Sequence, residues 1–253
     1  MNSISTYNQY SNNLLLLTVN YPYGNSEQFL AGELTYLAKS KKNVLIYSRK
    51  NKGKKRSLPS GIHTVNSFKS KNIFFSVNSI FYAFFKYRTY FINDLKSVFK
   101  EEGIKILKFS RYAYIISYII RSSKFIRWFD LNSEKYDLEN HTIYSYWMNA
   151  ESYGVSILKR HNPNLKTISR AHGADLYDDR NKGFLPFRRA IIQSLDKIFT
   201  ISNHGKDYLI GNNTEYLINK IEVSRLGVKR NDCIKYNERS EIVVASCSSD
   251  ESI

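Results

Sequence analysis

The densest run of chemistry-bearing side chains is Arg170-Ala-His172-Gly173-Ala-Asp175-Leu-Tyr177-Asp178. A histidine beside a glycine and close to a carboxylate can hydrogen-bond a substrate hydroxyl or exchange a proton near neutral pH. A second cluster, Tyr23-Gly24-Asn25-Ser26-Glu27, follows Tyr21-Pro22. A glycine-bearing loop that feeds a helix offers backbone N–H groups and a positive dipole end, which suits phosphate or sugar oxygens. Ser26 can cap the helix that follows it. Ser202-Asn-His-Gly205 is a third polar turn, and its plainest role is a helix N-cap. Other chemistries lack their motifs. There is no G-x-G-x-x-G, no phosphate-binding G-x-x-x-x-G-K, no G-x-S-x-G and no H-E-x-x-H, so neither a bound cofactor nor a metal is expected.

These clusters need a scaffold that brings them together. Leu14-Leu-Leu-Leu-Thr-Val-Asn20 is a continuous apolar run ended by Pro22 and Gly24, the pattern of a strand buried on both faces. Phe29, Leu30, Leu34 and Leu37 have helical spacing, and Val44–Tyr47 is a second strand. Such a strand–helix–strand unit is parallel and right-handed. Further strands are expected at Ile62–Asn66, Thr142–Trp147, Lys166–Arg170, Ile198–Ile201, Ile221–Leu226 and Ile242–Cys247, with Arg225–Val228 as a strand leaving the domain. Helices are expected at Ala150–Arg160, Phe187–Leu195 and His204–Ile210, and two or three more between Asn72 and Phe129, with most aromatics between Phe74 and Phe91 facing the core. Alternation of this kind predicts an α/β fold: a doubly wound, Rossmann-like parallel sheet with helices on both faces. Ligands of such sheets bind beyond the carboxyl ends of the strands, where all three polar clusters fall.

The 253-residue chain has a formal charge of +16. From Leu34 to Asn93 there are thirteen Lys or Arg and no acid, and eight of the cations lie between Lys41 and Arg56. That field favours an anionic partner, with Lys41, Lys42, Lys54, Lys55 and Arg56 the residues expected to meet it. Charge alone would also suit nucleic acid, but no zinc finger, helix-turn-helix or RNP-like strand accompanies it, and no nucleic-acid partner is expected. Cys233 and Cys247 form no disulfide framework or metal spacing, which suits reduced thiols and a cytoplasmic chain. The polar N-terminus lacks a signal-peptide pattern, and the apolar stretch Tyr112–Ile120 is far shorter than a membrane span of ~20 residues.

Taken in order, Tyr21–Leu30, Tyr144-Ser-Tyr-Trp147, Ser169–Tyr177, Phe199-Thr-Ile-Ser202 with Gly205-Lys206 and Tyr208-Leu209, and Val223-Ser-Arg-Leu-Gly-Val228 resemble retaining glycosyltransferases of the GT-B fold. That group builds bacterial capsular and exopolysaccharides, and the resemblance runs from Leu14 to Cys247. It implies two facing Rossmann-like domains, an N-terminal one for the acceptor and a C-terminal one for a nucleotide-sugar, with no metal. Residues 1–13 are then a polar tail, 14–230 the acceptor-side domain, and 231–253 a linker with the first strand of a donor domain that the sequence does not continue. The resemblance assigns His172 as the catalytic position beside the transferred sugar. Tyr23, Gly24, Asn25, Glu27, Arg170, Gly173, Asp175, Tyr177 and Ser202 become substrate contacts, with the Gly24 loop towards the donor phosphates. Ser26 departs from the glycine that relatives often carry there. The implied acceptor is a lipid-linked or growing glycan, reached through peripheral contact of the basic and aromatic stretches with anionic membrane at the inner face of the cell. Transfer needs both substrates held in reacting geometry, so little or no turnover is expected of a chain without the donor half. The alternative is a non-catalytic acceptor-binding module or a remnant without activity.

Overall fold

Leu14-Leu-Leu-Leu17 fills strand β1 (Asn13–Thr18), and all four side chains are buried. Leu14 and Leu16 face one apolar cluster, with Leu30 and Leu34; Leu15 and Leu17 face another, with Phe125, Trp128 and Val155. A strand alternates its side chains between two faces, so a continuous leucine run can be buried only between two layers of helices. The computed structural model describes residues 12–41, 43–67, 73–211 and 219–227. Lys42, Val228, the two cysteines, most of the N-terminal tail and the strand expected at Ile242–Cys247 lie outside the described residues.

The other strands are β2 (Asn43–Ser48), β3 (Ile62–Val65), β4 (His141–Ser145), β5 (Lys166–Ala171), β6 (Lys197–Thr200) and β7 (Ile221–Val223). They form one parallel sheet in the order β3-β2-β1-β4-β5-β6-β7. Leu16 pairs with Ile46 on one side and Tyr144 on the other, which puts β1 at the point where strand order reverses. This is the doubly wound, Rossmann-like arrangement read from the sequence. Its switch-point crevice opens between the carboxyl ends of β1 and β4. The strand expected through Leu226 and Arg225–Gly227 is shorter than read: β7 ends at Val223, and Ser224–Gly227 has no regular structure.

The helices are α1 (Leu30–Ser40), α2 (Ile73–Glu102), α3 (Phe109–Tyr136), α4 (Ala150–His161), α5 (Gly173–Leu176), α6 (Arg188–Ser194) and α7 (Asn203–Gly211). Local chemistry sets their ends. Asn149 caps α4, its side chain accepting the Glu151 N–H at 3.0 Å, and Lys159, Arg160 and His161 face the helix's negative end. Asp137 ends α3 in the left-handed conformation, φ 52°, with its N–H returned to the carbonyls of Ser133 and Glu134.

Two expectations are corrected here. Ser26 does not cap α1. Glu27 takes a left-handed φ of 55° and turns the chain after Ser26, so the helix starts at Leu30 behind Phe29, with no side-chain cap. Nor do most of the Phe74–Phe91 aromatics face the core: Phe74, Phe81, Phe84 and Phe85 are exposed. The inward row of α2 is Ala83, Tyr87, Phe91, Asp94 and Val98, at helical spacing, and it leaves the intervening phenylalanines pointing outward. Among the described residues, no helix is long and apolar enough to cross a membrane.

Candidate functional site

The loop from β1 to α1 closes on its own carboxylate. Glu27 Oε1 accepts the Val19 N–H at 3.0 Å, and Oε2 accepts the N–H groups of Asn20 and Tyr21 at 2.7 Å each. Trp147, just past β4, donates its indole N–H to Glu27 Oε1 at 2.6 Å and so ties the two lips of the crevice together. Three converging amides make a nest for an anion, and here an internal carboxylate fills it. The Tyr21–Pro22 peptide is cis.

Gly24 sits at φ 62°, and a Cβ there would lie 3.0 Å from the Lys52 carbonyl oxygen. Its N–H donates to the Lys54 carbonyl, and Tyr23 pairs with Lys55 in an antiparallel bridge. The basic loop after β2 therefore lies on the first loop. Asn20 bonds the backbone of Lys52 in both directions, at 3.2 Å each. Arg56 lies over the Tyr21 ring at 4.6 Å and donates to the Ser26 carbonyl. Lys55 Nζ donates to Thr64 Oγ1 at 2.8 Å, while Lys54 is exposed. Lys41 stands apart at the end of α1, half-buried, with its amine held below its usual range by burial and then by Lys166.

His172 leaves the end of β5 and enters a box of aromatic rings. Its ring centre is 4.4 Å from Trp147, 5.1 Å from Tyr146 and 5.9 Å from Phe29. The residue is only 5% exposed, and neither ring nitrogen has a hydrogen-bond partner among the described residues. Burial, with the Arg170 charge nearby, pushes its pKa down to about 3. The imidazole is therefore uncharged throughout the neutral range, a hydrogen-bonding group rather than a cation.

Arg170 reaches across to α1. It donates to Glu33 Oε2 at 2.6 Å and to the Tyr146 hydroxyl at 3.2 Å, and its guanidinium lies over the Tyr146 ring at 5.2 Å. Burial opposes its charge. The Tyr144 hydroxyl, then Glu33 and Tyr146, more than compensate and hold its pKa above the usual range. Arg170 Nε is buried and without a hydrogen-bond partner among the described residues. Asp175 is a brace: Oδ1 accepts the His172 N–H at 2.5 Å and Oδ2 the Met148 N–H at 2.6 Å, joining the loops after β4 and β5. Burial raises its pKa to about 7 against the pull of those amides and of Arg188. A Cβ on Gly173 would fall 2.6 Å from Arg180 Nη1, the far end of a flexible side chain that can shift aside.

The described residues thus bring Glu27, Arg170, His172, Gly173 and Asp175 together around the crevice. Tyr23 and Gly24 lie on its β1 side against the basic loop, and Asn25 beside them is exposed. Tyr177 and Ser202 belong to a neighbouring group: Tyr177 packs on Tyr208 and His204, and Ser202 Oγ accepts the Gly205 N–H at 3.1 Å, the N-cap role. Four residues of the site were given no site role from the sequence: Phe29, Glu33, Tyr146 and Trp147. The signal was available for the last two, which directly follow β4 at the switch point. Glu33 could be found only from its partner Arg170, which lies 137 positions away. A separate cleft of about 780 Å³ lies between α2, α4 and α6; the Asp94–Arg160 and Glu101–Arg189 ion pairs cross it, and Asp178, the last residue of the polar run after β5, lies in its wall.

No family model matches the sequence, and no curated protein matches it. A solved structure of UDP-N-acetylglucosamine 2-epimerase from Rickettsia bellii is similar over 86% of this chain, with a TM-score of 0.44 and 14% identity. The similar part is 45% of that protein, so this chain spans less than half of its length.

Proposed function

We propose that this chain is the acceptor-side half of a GT-B sugar transferase, which passes a sugar from a nucleotide-sugar to a hydroxyl of a lipid-linked or growing glycan in surface polysaccharide assembly. The observation that carries this is the uncharged His172 ring, without a hydrogen-bond partner among the described residues and held among Phe29, Tyr146 and Trp147 at the switch-point crevice. Aromatic rings with a few fixed polar groups suit a pyranose, which has an apolar face of C–H groups and a rim of hydroxyls. His172 bonds a sugar hydroxyl next to the transferred unit, and Arg170, held by Glu33, orients a second oxygen. Phe29 is the part-exposed ring of the box, and its displacement opens the imidazole to a ligand. Glu27 and Asp175 hold the three loops in register.

The diphosphate of the donor belongs to a separate donor-binding domain, because the amides best placed for it in this chain are taken by Glu27. The same observation favours a second reading, an acceptor-binding module without turnover of its own. Amide-resolved NMR titration of the chain with neutral oligosaccharides and with UDP-sugars tests the proposal. Shifts at Trp147, His172 and Phe29 are expected with an oligosaccharide, and weaker ones in His172→Ala. Response to UDP-sugars alone, or to neither class at millimolar concentration, sinks it.

A further inference from the structure

The turn between α2 and α3 exposes a group of large apolar side chains. Ile104 is 85% exposed, Leu107 78% and Phe109 84%, with Phe99 on α2 and Tyr112 and Ile116 on α3 exposed beside them. Single exposed apolar residues are ordinary on a protein surface, but a contiguous group marks an interaction site. The group is interleaved with the exposed lysines Lys100, Lys105 and Lys108; the two acids beside it, Glu101 and Glu102, are paired with Arg189 and Arg111, and the sequence from Gly103 to Ile120 contains no Asp or Glu.

We propose that this turn is an interfacial anchor that docks on an anionic phospholipid bilayer. Charge decides between the occupants. A second copy of the chain would set lysine against lysine across the same apolar patch. An anionic bilayer satisfies both halves of the pattern: Ile104, Leu107 and Phe109 enter the acyl boundary, and the lysines reach back to the headgroups on their flexible stems. Each apolar residue of the turn has a lysine within two positions, which fits lying in the interface rather than crossing it. The anchor borders the crevice end of the sheet. Arg111 pairs with Glu102 and donates to the Gly183 carbonyl, and Tyr114 donates to Asn181, whose side chain is tied to the Ala174 carbonyl just beyond β5. The anchor is independent of the sugar-transfer proposal, since it rests on surface composition alone.

The test is flotation of the full chain with phosphatidylcholine vesicles, with and without about 30% phosphatidylglycerol. Binding is expected on the anionic vesicles, with release in about 0.5 M salt where screening is strong. Leu107→Asp with Phe109→Asp, and separately Lys105→Glu with Lys108→Glu, should each weaken it by about tenfold or more. Leu107→Ser with Phe109→Ser is the milder variant, and melting curves show whether each form folds. Absence of binding to anionic vesicles overturns the proposal. So does equal binding by folded variants, or a wild-type dimer that the apolar variants dissociate while vesicle binding stays unchanged.

Discussion

Replacing Glu27 by Gln probes how the crevice is held together. The carboxylate accepts four N–H groups, two on each oxygen: Val19 and Trp147 on Oε1, Asn20 and Tyr21 on Oε2. Glutamine keeps the shape but turns one oxygen into an NH2 donor. Whichever way the amide rotates, two N–H groups then face another donor. Glu27 is buried, so solvent does not make up the loss. A hydrogen bond to a charged group is worth about 1.5–3 kcal/mol, so two lost bonds give a destabilisation of about 3–6 kcal/mol. For a chain of this size that lowers the melting temperature by roughly 6–24 °C. Urea unfolding followed by far-UV circular dichroism, analysed at a common m-value, gives the difference directly. A loss below about 1 kcal/mol would refute the claim that this carboxylate organises the loop.

Two further outcomes are expected. His172 has its folded pKa depressed to about 3 from 6.5, so its contribution is complete above pH 6.5 and drains away as pH falls towards 3. The stability gap between wild type and His172→Gln, measured by urea unfolding, should therefore shift by about 2 kcal/mol against wild type between pH 6.5 and pH 5; a gap constant over that range removes the shifted imidazole. Gly53 has φ 94°, and a Cβ there would lie 2.8 Å from Gly24 Cα, so Gly53→Ala should cost about 1–3 kcal/mol by the same assay, and a neutral result would show that the two loops can separate freely.

Much of the sheet was legible because each strand carries its own signal. The apolar runs at Leu14, Val44, Thr142, Lys166 and Ile198 all became parallel strands within a residue or two of their expected ends. The polar clusters also fell at strand carboxyl ends, as the alternation of elements requires. Pairing over distance was not legible. Nothing local to Glu27 says that its carboxylate turns back onto Val19–Tyr21 rather than out to a ligand, or that Trp147, 120 positions on, completes it. Ser26 looked like a cap because the left-handed turn at Glu27 that displaces the helix start exists to serve that carboxylate. The aromatics of α2 misled for another reason: Phe81, Phe84 and Phe85 have helical spacing, but spacing cannot say which of two apolar rows faces inward when both are present.

The close approach of Gly24 and Gly53 has a consequence for how such a protein can change. Two backbones in contact leave no side chain to absorb an adjustment, so neither loop can lengthen or take on bulk without a matching alteration in the other. The first loop and the basic loop are one structural unit: a chimera that borrows the segment around Gly24 from elsewhere must import the segment around Gly53 with it.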